Sequence, residues 1–202
     1  MTIGIELNHV VRNINGQMLK YYAKDIDPSI DIEEINDKED VLEKYLKFPS
    51  KHDKNEFIYI DYPYEIFGCA KTMEKNLPTS ITNWLSDISD IEDKEIKIIF
   101  YSLGEEALTI QSSYFFLSRI GTRVREVIFP TDLNEVWDKC DAVITANKSM
   151  VESKPQGKKV VLVKRPFNEG CETSSDLVYE SLTDIISDKD FFDKLQTKYQ
   201  PS

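Results

Sequence analysis

The stretch Ile3–Arg12, IGIELNHVVR, decides the fold. Ile3, Ile5 and Leu7 alternate with Gly4 and Glu6, and Val10 and Val11 follow, the pattern of a buried strand running into a polar loop. A strand so early in the chain, followed by alternating strand and helix patterns, is expected as a central parallel strand of an α/β sheet. The working site of such a sheet lies beyond the carboxyl ends of its strands, at the topological switch point. Glu6 and Asn8 stand at that place.

Outward from this strand, Glu95–Ser102 (EIKIIFYS), Val124–Pro130, Asp141–Thr145 (DAVIT) and Lys159–Lys164 (KVVLVK) read as further strands. Helices are expected between them. One carries Ala107, Ile110, Tyr114 and Leu117 on one face and is closed by Gly121 at its C′ position; another spans Asp132–Lys139 with Thr131 as its cap. Thr173 and Asp176 form an expected capping box ahead of a helical stripe of Leu177, Val178, Leu182, Ile185 and Ile186. Phe191, Phe192 and Leu195 open a last helix. Before the second strand come helical patterns at Ile14–Lys24, 38–47 and Asn76–Ile88, a polar loop at Lys51–Glu56, and the aromatic stretch Phe57–Met73 (FIYIDYPYEIFGCAKTM).

An apolar strand ending in acid-x-polar and then Val-Val resembles the first motif of the haloacid dehalogenase (HAD) superfamily, a strand ending in Asp-x-Asp. In that motif the first Asp attacks a phosphoryl group and the second is the general acid/base; Glu6 and Asn8 occupy those places here. Ser102 matches the second motif, a strand-end Ser or Thr whose hydroxyl holds the phosphoryl group. The insertion after the first strand is similar in position to the small helical cap of the 5′(3′)-deoxyribonucleotidase-type members. Those relatives follow the fourth strand with two adjacent Asp residues that bind Mg²⁺, where this chain has Thr145 and Ala146, then Asn147. The lysine expected upstream is out of register: Asn134 and Glu135 lie near its place and Lys139 comes later. The turn Arg165-Pro166-Phe167-Asn168 after the fifth strand also resembles theirs. The resemblance implies a three-layer Rossmann-like HAD fold with a parallel sheet, its α/β core at 1–15 and 92–202 and a small helical cap insertion at 16–91.

The altered residues bear on each requirement of phosphoryl transfer. Glu6 lengthens the nucleophile by a methylene, and a misplacement of about 1 Å can cost on the order of 100-fold. Asn8 can neither give nor take a proton near neutral pH. Thr145 and Ala146 bring no carboxylate, and Mg²⁺ binds weakly without one or two. The expectation is therefore a degenerate, catalytically inactive HAD-like protein with Glu6, Asn8, Ser102, Thr145 and Ala146 as vestigial positions and no cofactor. Glu6 is expected to bond nearby backbone N–H groups, and Ser102 to cap a helix in preference to binding phosphate. Were the site active, it would be an altered Mg²⁺-dependent deoxynucleotidase or phosphatase; a non-catalytic nucleotide or phosphate sensor would use Ser102 with Lys164 or Arg165. Lys164 and Arg165 are otherwise a solvated or locally paired couple. His9 is expected as a loop filler that narrows the old pocket.

The chain has 202 residues, 36 acidic against 25 basic, and a net charge of −11, which disfavours a nucleic-acid backbone as partner. Cys69, Cys140 and Cys171 are odd in number and widely spaced; with two histidines they favour neither a disulfide framework nor a zinc site, and are read as small apolar groups. No apolar run approaches the roughly 20 residues of a membrane span, and no signal peptide is expected. Tyr59, Tyr62, Tyr64 and Phe67 are expected either to pack the cap on the core or to form a protein contact surface. The segment DYPYEIFGCA resembles one in phage-encoded HAD-like proteins, which implies a viral source; an intact fold with a dismantled site is expected to serve as a protein-interaction scaffold, in a virion tail or neck if phage-encoded and otherwise in the cytoplasm.

Overall fold

The computed structural model describes residues 1–36, 38, 41–49, 51–89, 96–122 and 124–197. Its centre is a six-stranded sheet in the order β5-β4-β1-β6-β7-β8. In chain order these are β1 (Thr2–Glu6), β4 (Lys97–Tyr101), β5 (Val127–Ile128), β6 (Ala142–Thr145), β7 (Lys159–Val163) and β8 (Leu177–Tyr179), and every pairing is parallel. β1 is central, as its near-continuous burial requires: Ile3, Ile5 and Leu7 are fully buried. Chain order switches direction across β1, with β4 on one side and β6 on the other, so the crevice beyond Glu6 is the switch point.

Helices cover both faces. On one lie α5 (Leu77–Ser89), α6 (Ala107–Arg119), α9 (Leu182–Ser187) and α10 (Phe191–Thr197), whose Leu77, Ile81, Phe116, Leu182 and Phe191 pack with Ile3 and Ile5. On the other, α7 (Leu133–Lys139) and α8 (Lys148–Glu152) bring Val136, Trp137, Met150 and Val151 against Ile99, Tyr101, Val143 and Leu162. This is the expected three-layer α/β architecture.

The insertion leaves and returns through a two-stranded antiparallel ribbon, β2 (Arg12–Asn13) with β3 (Lys71–Thr72). It carries α1 (Ile14–Asp25), α2 (Ile32–Ile35), α3 (Val41–Lys44) and α4 (Lys51–Glu56), then π-helical turns at Phe57–Asp61 and Tyr64–Gly68. Asn13 caps α1, accepting from the Gly16 N–H at 2.9 Å. Met18, Leu19, Tyr22, Phe57, Ile66 and Phe67 belong to a hydrophobic cluster separate from the sheet's. By packing, the expected insertion of 16–91 divides: 14–68 surrounds that cluster, whereas α5 joins the sheet's core, and the expected boundary at 91–92 lies outside the described residues.

Several local expectations are corrected. Lys51–Glu56 is a helix rather than a loop. The helix expected at 38–47 is described only as Val41–Lys44, residues 39 and 40 lying outside the described ones, as does the expected strand start at 95. The strand expected over Val124–Pro130 pairs only at Val127–Ile128, at the sheet's edge. Asp132, not Thr131, caps α7: its Oδ1 accepts from the N–H groups of Asn134 (2.8 Å) and Glu135 (3.1 Å). Leu177–Tyr179 is a strand, and the helix after it starts at Leu182 under a Ser181 cap. The Asp176 carboxylate accepts from the Val160 N–H and pairs with Lys154, and the helix expected behind it begins six residues later. A strand of three half-buried residues running into a helix carries an apolar spacing that reads as one continuous helix.

Candidate functional site

Parallel register brings the strand-end residues together. Glu6 stands beside Tyr101 of β4, and Ile5 beside Ile144 of β6, so Ser102, Thr145 and Ala146 follow at one edge. Glu6 is 5% exposed, and its Oε2 accepts from the Thr145 hydroxyl (2.5 Å) and the Ala146 N–H (3.0 Å). Burial outweighs these bonds and pushes its pKa up to about 7. Asn147 caps α8, accepting from the Ser149 N–H at 2.8 Å.

After Leu7 the chain turns tightly. The N–H groups of Val11 (3.1 Å) and Arg12 (2.9 Å) donate to the Leu7 carbonyl, and His9 takes the left-handed conformation at φ 64°. His9 sits in this loop, half-buried, and lines the cavity: its ring meets Phe167 edge-on at 5.2 Å, and desolvation, with Arg165 and Arg12 nearby, lowers its pKa to about 4. The imidazole is thus neutral at physiological pH.

This turn points Arg12 back into the molecule, where its side chain is fully buried. Its Nε donates to Asn8 Oδ1 (2.9 Å). Nη1 donates to the Ser113 hydroxyl (2.6 Å) and the Phe67 carbonyl (3.2 Å), and Nη2 to the Ser102 hydroxyl (3.3 Å). Nη2 also pairs with the Glu105 carboxylate, whose other oxygen accepts from Ser113 at 2.5 Å. The guanidinium lies 5.2 Å from the Phe67 ring centre and 5.6 Å from that of Phe116. Burial lowers its pKa and Glu105 opposes that, the arrangement a buried charge requires.

Ser102 is therefore not a helix cap, since α6 starts at Ala107; its hydroxyl answers Arg12. Lys164 pairs with Glu180 at 2.8 Å. Arg165 donates to the carbonyls of His9 (2.9 Å), Lys164 (2.8 Å) and Glu180 (3.1 Å). Both cations are thus engaged within the chain. Asn168, fully buried, donates to the carbonyls of Ala146 (2.9 Å) and Val163 (3.0 Å), fastening the fifth-strand turn to the end of β6. Cys140 and Cys171 are buried and Cys69 half-buried, all three as thiols.

A cavity of 610 Å³ opens between the insertion and the sheet edge. Glu6, Asn8, His9 and Asn147 form its polar end, while Ile14, Met18, Val41, Leu42, Ile58 and Ile66 wall the other. The donors here do not suit Mg²⁺. Asn8 Oδ1 is taken by a guanidinium, Thr145 and Ala146 bring no charge, Glu105 pairs with Arg12 and Glu152 with Lys148, which leaves Glu6 as the carboxylate at the strand ends. Among the described residues no group of three or more His, Cys, Asp and Glu could hold a metal ion.

Reading from sequence placed Glu6, Asn8, Ser102, Thr145 and Ala146 together. It missed Arg12 and Glu105. Arg12 ends the opening motif as a charge directly after two valines, and that was its only local signal; Glu105 lies 93 residues away.

The parallel sheet, its strand order and the insertion after β1 define the class, a Rossmann-like α/β fold. The chain is similar to a solved structure from Burkholderia xenovorans LB400, inferred to be a haloacid dehalogenase-like hydrolase. The TM-score is 0.56 at 9% identity, over 96% of this chain and 97% of that one. No protein-family model and no curated protein sequence matches the chain.

Proposed function

We propose that this chain is a non-enzymatic HAD-fold binding module, a protein-interaction component of a larger assembly; a phage origin would place it in a virion tail or neck. One observation carries the loss of catalysis. Arg12 occupies the point where the first two motifs meet and takes the side-chain oxygens of both Asn8 and Ser102. Ser102 is fully buried beneath Arg12 and does not line the cavity, so a phosphoryl group there would not meet its hydroxyl. Support for an interaction role comes from exposed apolar side chains where α6 meets the π-helical turns: Ile60, Tyr64, Leu108 and Phe115, with Tyr64 and Phe115 ring centres 4.9 Å apart. One feature favours an altered Mg²⁺-dependent phosphatase instead: Glu6 still lines an open cavity in a fold that the Burkholderia protein shares.

A phosphatase assay separates the two readings. Purified protein with Mg²⁺ should release no phosphate from deoxynucleoside 5′-monophosphates or an aryl phosphate beyond that seen with Glu6→Ala. Turnover that Glu6→Ala abolishes would overturn the proposal.

A further inference from the structure

We infer that the 610 Å³ cavity between the insertion and the sheet edge binds an amphipathic amine, its ammonium group on Glu6 and its apolar tail among Met18, Val41, Leu42 and Ile58. This deepens the reading of the chain as a non-enzymatic binding module and rests on it. The volume lies within the range of about 300–1,000 Å³ usual for small-molecule sites.

The charge inventory selects the ligand. Three carboxylates line the cavity, Glu6, Glu105 and Glu152, and Glu152 lies 3.9 Å from Lys148. Glu105 is already answered by the Arg12 guanidinium and the Ser113 hydroxyl, so it asks for nothing more. Glu6 is different. Among the described residues no cation pairs with it; it is 5% exposed, its bonds from Thr145 and Ala146 fall on Oε2, and its side chain lines the cavity. His9 beside it is held neutral, so it supplies no counter-charge. A buried carboxylate without a cation is costly, and an ammonium ion placed against it restores the missing partner.

The same inventory rejects an anion. The deepest cation, Arg12, is spent on Asn8, Ser102, Ser113 and Glu105. Lys38 and Lys148 also line the cavity, but both are exposed, Lys148 has Glu152 within 3.9 Å, and exposed charges are screened by salt. The opposite wall is aliphatic and aromatic, with Ile14, Ile66 and Phe67 completing it, which a compact polar amine would leave unfilled. The chemistry that fits both ends is a monoamine with an apolar tail.

Calorimetry with n-octylammonium, n-octanol and n-octyl phosphate tests this on the full chain. Octylammonium should bind saturably and more tightly than the alcohol, and octyl phosphate should not bind. Glu6→Gln, which keeps a side chain of the same length, should weaken octylammonium on the order of thirtyfold, the loss expected when one member of a buried charge pair is removed, and leave octanol unchanged. Leu42→Trp, which fills the tail end and spares Glu6, should weaken both. Equal affinity of wild type and Glu6→Gln for the amine, or preference for octyl phosphate, overturns the inference. The assay reads binding, not turnover, so an inactive protein that ignores amines sinks only this inference, while Glu6-dependent phosphate release sinks the reading beneath it.

Discussion

Glu6 and His9 stand three residues apart, and the fold opposes the charged form of each. Glu6 moves from 4.5 to about 7, and His9 from 6.5 to about 4, both mainly through desolvation. Between pH 4.5 and 7 the native chain keeps a proton on Glu6 that the unfolded chain gives up, so this residue makes stability fall as pH rises. Between pH 6.5 and 4 the unfolded chain takes up a proton that native His9 refuses, so this one makes stability fall as pH drops. Each slope is at most about 1.4 kcal/mol per pH decade, less for the partly exposed His9. Where the windows overlap, from about pH 4.5 to 6.5, they oppose each other and the two residues together leave stability nearly level. Glu6→Gln removes one of the pair. The variant should then gain stability with rising pH up to about 6.5 and exceed wild type by the most above pH 7. Urea midpoints of both proteins at half-unit pH steps measure this; a difference between them that does not vary with pH would rule it out.

At the scale of elements, the contact of β1 with its neighbours depends on Gly4. A Cβ built there would lie 2.7 Å from Cys140 Sγ and 3.2 Å from the Tyr101 ring. Cys140 is fully buried at the end of α7, so its sulfur has no free path to retreat. Gly4→Ala should therefore destabilise by about 1–3 kcal/mol, the usual range for overpacking. Adding Cys140→Ala removes the closest atom and should recover part of that loss; additive effects of the two changes in a double-mutant cycle would contradict the geometry. The alternation of Ile3, Ile5 and Leu7 made this strand legible from sequence, because a strand buried on both faces leaves a dense apolar record. The convergence of Glu6, Asn8, Ser102, Thr145 and Ala146 was legible for the same reason, since each follows such a strand. β8 was not. Its three residues are only half-buried, and the apolar spacing runs on into α9 without a break in period. The π-helical turns at Phe57–Asp61 and Tyr64–Gly68 were not legible either, because their wider ring closure, Tyr62 N–H to the Phe57 carbonyl at 3.0 Å, has no sequence period of its own.

Across the whole molecule, Arg12 ties the sheet to the insertion. Arg12 reaches Phe67 in the second π-helical turn, Ser102 at the end of β4, and Glu105 and Ser113 before and within α6. Arg119 donates to the Ala70 carbonyl nearby, and the π-helical turns pack on α6. Arg12→Met keeps most of the stem volume and removes the charge. Glu105 then remains buried without its cation, which predicts a loss of about 3–5 kcal/mol. Arg12→Met combined with Glu105→Leu removes both charges and should restore much of it, since a buried pair contributes far less than the penalty of stranding one member. The loss should be uneven in space. With the Phe67 carbonyl released, amides over 57–69 should exchange faster than those of β1 and β6, whose ladders are intact on both sides. Hydrogen exchange on the double variant provides the decisive comparison. If Arg12 acts as the tie, stability recovers in that variant while protection of 57–69 does not, because leucine and methionine cannot replace the bond to Phe67. Recovery of both would mean that the insertion is held in place without Arg12.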